Sequence, residues 1–382
     1  MKRTLACFAT ALTVCLLIGL SACSSSSAAK PSAENDPAKT QSDADTARTT
    51  ETGSAESESI LNPGSDETTQ EPTAEATEEP TEPPIPLLTL SPEEAAEVVT
   101  FQDKDFENMV RDRLGFAGDI TRGQLFEVTR LDISTHRKDL LSVEDLRYFP
   151  NLEILYVGYQ ENVSDFSPIG ALTRLQILDL EGTKVDDISF LSGLTELREL
   201  NLTYDPVKDI EALSGLQKLE VLKLFDCETT DIHALSGMKS LRELDLDGRN
   251  FIEDFSPISG LTNLEKLNLE EKSLADISFL SGLTNLKKLN LDRNGITDIS
   301  PLAEMKQLTY LDLYKNQITD ISPLAGLTNL TELRLNNNQI NDISPLFGLT
   351  KLTELRLNEN PLTQEQIDAL QAQLVNCEIQ FE

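Results

Sequence analysis

"LTNLTELRLNNNQINDISPLFG" occupies residues 327–348, and "LTKLTELRLN" opens the same phrase again at Leu349. Traced backwards, the phrase restarts at Phe149, Leu172, Leu194, Leu216, Met238, Leu261, Leu283 and Met305, with a degenerate copy from Leu125. Of the nine spacings between Phe149 and Leu349, seven are 22 residues and two are 23. A fixed period in this range is the mark of a solenoid. In the copy from Leu327 the apolar slots are Leu327, Leu330, Leu333, Leu335, Ile340, Ile343 and Leu346. So few apolar side chains cannot offset the entropy of ordering a whole unit, but stacked units cover each other's faces. The copying is first of all a device of stability.

Inside each unit "LxxLxLxxN" predicts a short strand, with the paired leucines inward and the residues between them outward. Asn294, Asn316, Asn338 and Asn360 close successive units, and an amide in that slot can bond the backbone of its own turn and of the next coil. Thr183 and Cys227 stand in the same slot, which marks Cys227 as a small buried thiol rather than a nucleophile. "DISPL", at Asp298, Asp320 and Asp342, opens the opposite side of each coil, where Asp and Ser cap short turns and Pro stops strand pairing.

These units resemble the leucine-rich repeat, in the 22-residue form of the internalins and related bacterial surface proteins. The resemblance spans residues 125–361 and implies an α/β solenoid: a leucine-rich-repeat horseshoe with a parallel concave sheet. The ending "NPLTQEQIDALQAQLVNCEIQF" is similar to a terminal cap of such proteins. There Thr363 and Gln366 form a capping box, Ile367, Leu370 and Leu374 an apolar face, and "CEIQF" a last edge segment, so residues 361–382 read as a short C-terminal helical cap. Those residues are too few for the immunoglobulin-like domain that follows the repeats of many internalins, so host-cell invasion is not carried over.

Ahead of the array, residues 91–124 read as a helical N-terminal cap. "SPEE" supplies a capping Ser, an early Pro and a Glu three residues on; Phe106, Val110 and Leu114 share a helix face; Thr121 and Gln124 make another capping box. Residues 23–90 are rich in Ser, Thr, Glu, Pro and Ala and read as a disordered acidic tether, about 45 Å end to end as a flexible coil. Residues 1–22 read as a targeting segment: Lys2 and Arg3, an apolar stretch, then "LSAC". That tetrapeptide resembles the bacterial lipoprotein signal, which implies cleavage before Cys23, lipidation of its thiol and display on the outer face of the cytoplasmic membrane; the long acidic spacer beside it suggests a Gram-positive cell, where a tether must cross the wall.

Acids outnumber bases by 65 to 32, a formal charge of −33, so nucleic acid and bare anionic membrane are poor partners and the lipid is the expected membrane contact. Five cysteines show no CxxC spacing, and no GxSxG elbow or glycine-rich phosphate loop occurs. The two histidines, His136 in a ladder slot and His233 in place of the Ser of "DIS", lie too many coils apart to share a site. No catalytic role and no cofactor are expected; calcium on the outward carboxylates stays an open alternative, although acids on adjacent strands lack the loop geometry that usually supplies its ligands.

What varies from unit to unit is the outward set. Asp245, Asp247, Glu270, Asp292 and Asp312 are expected to form an acidic strip along the middle of the concave face. Tyr156, Tyr204, Phe225, Tyr310 and Tyr314 are placed as aromatic anchors beside it, with Asp179 before it and Arg334 and Arg356 after it. Exposed aromatics among unpaired carboxylates suit a basic protein surface or a sugar. The same acids also read as the ordinary solvated face of an acidic protein. The expectation is a monomeric binding protein for a protein ligand, with a scaffold for wall polymer or an envelope complex as the alternative.

Overall fold

The structure is a computed structural model that describes residues 87–134 and 140–381; the targeting segment, Cys23, nearly all of the tether and His136 lie outside the described residues. Twelve three-residue strands pair in parallel, in chain order, in one sheet. They are β1 Arg130–Asp132, β2 Ile154–Tyr156, β3 Ile177–Asp179, β4 Glu199–Asn201, β5 Val221–Lys223, β6 Glu243–Asp245, β7 Lys266–Asn268, β8 Lys288–Asn290, β9 Tyr310–Asp312, β10 Glu332–Arg334, β11 Glu354–Arg356 and β12 Glu378–Gln380. Eleven come from the repeats, and the twelfth is the edge segment expected in "CEIQF". The constant period sets the register: Leu311 lies against Leu289 on one side and Leu333 on the other.

Inward leucines of every coil are sealed in one continuous core; Leu289, Leu291, Leu311, Leu313, Leu333 and Leu335 are all 0 % exposed. On the opposite side each coil closes through a 3-10 turn such as Ser322–Gly326 or Ser344–Gly348, with Pro in its first positions. The Asp of "DIS" starts each turn: Oδ1 of Asp298, Asp320 and Asp342 accepts the N–H two residues on at 2.8 Å. The expected capping role is met.

Between strand and turn runs the amide ladder. Asn316 Nδ2 donates to Leu291 O of the preceding coil and Leu313 O of its own, both within 3.2 Å, while its Oδ1 accepts from Ile296 N at 3.1 Å. Asn294, Asn338 and Asn360 repeat this pattern. Asn250 also belongs to the ladder, a member that the inserted residue of its 23-residue unit hides in the sequence.

Both ends are capped as expected. Over the first coil lie α1 Pro92–Ala95, α2 Lys104–Leu114 and α3 Arg122–Phe126, with the capping boxes Ser91–Glu94 and Thr121–Gln124 formed and Phe106 and Val110 buried. At the other end α4, Gln364–Gln373, begins in the Thr363–Gln366 box and buries Ile367 and Leu370.

Candidate binding surface

The outward positions of each strand, and the one just after it, build three columns across the concave face. In the middle column nearly every Asp or Asn has a structural task. Oδ1 of Asp132, Asp179, Asn201, Asp245, Asn268, Asn290 and Asp312 accepts the N–H two residues on, turning the chain out of the strand. Tyr156, Lys223, Arg334 and Arg356 are the residues in that column that cannot do so.

This changes the expected acidic strip. Asp245, Asp247, Glu270, Asp292 and Asp312 do come together on successive coils, but none is open to solvent: each is less than a tenth exposed. Nor are they generally unpaired. Asn290 Nδ2 and Arg293 Nη1 donate to Glu270 at 3.2 and 2.5 Å. Arg334 Nη1 lies 3.4 Å from Asp312 and its Nη2 2.7 Å from Glu332. Parallel strands set neighbouring side chains about 4.8 Å apart, so each carboxylate is walled in by the next coil. That neighbour is invisible within a single repeat.

Burial disfavours the ionised form and carboxylates raise one another. Burial pushes Asp245 up to about 6, against the pull of the Asp247 N–H and Lys223, and burial with Glu270 beside it pushes Asp247 up to about 7. Asp292, buried and facing Glu270 and Asp312, rises to about 8. Burial also raises Asp179 and Asp312. Burial and crowding thus favour the protonated forms of Asp247 and Asp292 near neutrality.

The expected aromatic anchors do not form one row. Tyr156 lies under the Arg130 guanidinium at 4.8 Å, Tyr314 under Arg293 at 5.6 Å and Tyr310 under Arg334 at 5.5 Å. These rings are half-buried and already carry a cation. Tyr204 is different: it is 47 % exposed and meets Phe225 edge-on at 5.3 Å. Sequence reasoning missed Tyr159, which folds over Gly182 and hydrogen-bonds Glu181. It also missed Arg293, the hub of the central network. Arg356 is held by Glu354 of its own strand at 2.6 Å.

Cys227 is free and buried, as its structural reading requires, and Cys377 is free and buried in the C-terminal cap. His233 is exposed and pairs with Asp231 at 2.7 Å. Among the described residues no group of three His, Cys, Asp or Glu side chains is placed to hold a metal ion, and no helix is long and apolar enough to cross a membrane.

The sequence matches the family described as Leucine Rich repeats (2 copies) over residues 173–215, 217–260, 262–304, 306–348 and 328–372. The chain belongs to this leucine-rich-repeat family. Its repeats are of the internalin type: an internalin (inlF) from Listeria monocytogenes is 32 % identical, with a TM-score of 0.63 over 74 % of this chain and 91 % of that one. The functional domain of InlJ from Listeria monocytogenes, described as including a cysteine ladder, matches at 21 % identity and TM-score 0.51 over 75 % of this chain and 62 % of that one. The plant peptide hormone receptor RGFR1, solved in complex with RGF2, matches at 20 % identity and TM-score 0.53 over 69 % of this chain and 48 % of that one. Both of these likenesses speak for the fold alone. No curated protein matches the sequence. Leucine-rich-repeat proteins of this kind commonly serve as scaffolds that bind partners, often proteins.

Proposed function

We propose that this chain is a lipid-anchored, surface-displayed receptor that captures a protein partner on its concave sheet and performs no chemistry of its own. The observation that carries the reading is the contrast between the sheet's two faces. Inward positions are leucine in coil after coil, whereas the outward columns change from Tyr156 to Lys223 to Asp245 to Arg334. A face that changes along much of a rigid array is suited to reading a shape, and an exposed ring pair such as Tyr204 and Phe225 suits an interface anchor. The plant peptide hormone receptor RGFR1, of the same fold, was solved in complex with RGF2. Lipidation at Cys23 would hold the chain on the outer face of the membrane, and the acidic tether would lift the array into or beyond the wall.

The test immobilises the chain and offers it host-cell surface proteins and purified wall polymer. One variant is Phe225→Ala; a second, Tyr204→Ala, removes an exposed ring, and each truncates one half of the ring pair at little risk to the fold. A protein retained by the native chain and lost from both variants supports the reading. Wall polymer retained equally by all three forms would sink it and leave a scaffold.

A further inference from the structure

One backbone N–H is spent alike in coil after coil. At the residue that follows the third outward column it donates to a carbonyl of the next coil: Tyr204 N to Phe225 O at 2.9 Å, Asp226 N to Asp247 O at 3.0 Å, Glu271 N to Asp292 O at 3.0 Å. Gly248 holds this slot in the coil after β6, and its N–H goes elsewhere. It donates to Oδ1 of Asp247, its own neighbour in the chain, at 2.5 Å. The inserted residue of this 23-residue unit puts the chain out of step with the coil that follows, while Lys272 Nζ holds the Gly248 carbonyl at 2.5 Å.

A carboxyl set against the amide of a following glycine is placed for a reaction that needs no second molecule. Gly248 N attacks Asp247 Cγ, a C–N bond forms, and the carboxyl hydroxyl leaves as water with the amide hydrogen, closing a five-membered succinimide. Solvent water then opens the ring at either carbonyl, which returns aspartate or gives isoaspartate, with the main chain running through Cγ. Glycine has no Cβ to obstruct the approach. Attack uses the face of the nitrogen, so the amide must tilt off its hydrogen bond, and an amide unpaired to the next coil is the one that can. We propose that Asp247–Gly248 is a self-modification site, at which the folded array converts its own backbone to succinimide and isoaspartate.

The departing oxygen must carry a proton. The charged and titratable groups around Asp247 are Asp245 on its own coil, Glu270 and Lys272 on the next, and Tyr204 and Asp226 on the two before. Burial, then Glu270, pushes the carboxyl up to about 7. At pH 7 about half of these carboxyls hold the proton, against about one in a thousand for an ordinary aspartate. The chain's one Asn-Gly step, Asn294–Gly295, is the opposite case. Asn294 Nδ2 donates to the carbonyls of Leu269, Leu291 and Asp292, its Oδ1 accepts from Lys272 N and Leu274 N, and Gly295 N is bound to Leu274 O at 2.8 Å. There the fold locks both reacting groups.

The test incubates the full chain at pH 7, folded and in urea, and follows both steps by peptide mass mapping. The expected product is a peptide lighter by one water, then isoaspartate at Asp247, formed at least about tenfold faster in the folded chain than in the unfolded one. The folded rate should fall severalfold from pH 6 to pH 9 as the carboxyl ionises. Asn294 should deamidate more slowly folded than unfolded. Asp247→Glu, whose ring would need six members, should abolish the lighter species. Modification of Asp247 no faster in the folded chain than in urea, or a lighter species that survives in Asp247→Glu, overturns the site.

Discussion

From Asn294 onward the ladder slot is uniform, whereas between Gln160 and Lys272 no two successive coils fill it alike. Asn294, Asn316, Asn338 and Asn360 each satisfy both neighbouring backbones with one amide. The earlier coils improvise. Gln160 donates Nε2 to Ile133 O at 2.8 Å but leaves its own Oε1 unbonded. Cys227 offers its thiol to Leu202 O at 3.1 Å, and Lys272 sends Nζ back to Gly248 O at 2.5 Å. Asp205 accepts from Lys184 N at 2.6 Å, as an asparagine Oδ1 would, yet its Oδ2 has no partner. One backbone geometry therefore tolerates six side-chain chemistries, with uneven quality. Stability should be concentrated in the second half of the array and adjustability in the first.

The largest break in that comparison is Asn316→Ala. It removes the donor shared by Leu291 O and Leu313 O and the acceptor of Ile296 N, all buried. Stranding several buried polar groups costs about 3–5 kcal/mol. Urea unfolding should show the coils around β9 separating from the rest as an early transition. A loss under about 1 kcal/mol would mean that the ladder merely accompanies the fold.

Gly248→Ala tests the inserted residue instead. Its φ of +78° strains a side chain more than the +52° to +55° at which Asp226, Arg293 and Lys315 hold the same slot. The larger obstacle is space: an added Cβ would lie 2.4 Å from Asp226 N, backbone that cannot step aside. Overpacking of this kind costs about 2–3 kcal/mol. At Gly295, where the nearest atom would be 3.6 Å away, the same change should be tolerated. Thermal unfolding of the two variants side by side measures the difference between a bulged coil and a regular one.

Much of this was readable in advance, for reasons that differ by residue. The period placed eleven of the twelve strands and the amides from Asn294 to Asn360, because a repeat states its rule many times over. Asn250 escaped because one inserted residue moved it out of phase. The middle-column acids were misjudged because Asp245 and Asp312 carry a local signal, an Asx oxygen two residues before a free N–H, that went unweighed beside their charge. The networks around Arg293 and Arg334 were not legible at all. They depend on side chains about 22 residues apart in sequence, whose approach only the stacked coils decide. The same holds for the second row of amides, in which Asn263, Asn285 and Asn329 each donate to the preceding coil's backbone.

Asp205→Asn makes the irregular half more like the regular one, and the expected effect is a gain. Burial pushes the Asp205 carboxyl up to about 8, against 3.8 for an ordinary aspartate. The folded chain therefore keeps a proton that the unfolded chain releases. Stability linked to this group is fully present below pH 4 and is lost as pH rises through about 8, levelling off above. An asparagine would place a neutral Nδ2 where Oδ2 now stands, the position from which Asn250 and Asn294 reach two carbonyls. At pH 8 the variant should be more stable by about 2 kcal/mol, and the advantage should shrink toward zero by pH 4. Unfolding midpoints of both chains across that range decide it. A constant offset at every pH would assign the benefit to hydrogen bonding alone. No gain at pH 8 would mean that Thr183 and the Lys184 N–H already hold the carboxylate as well as an amide could, and that the irregular coils are no weaker than the ones that follow.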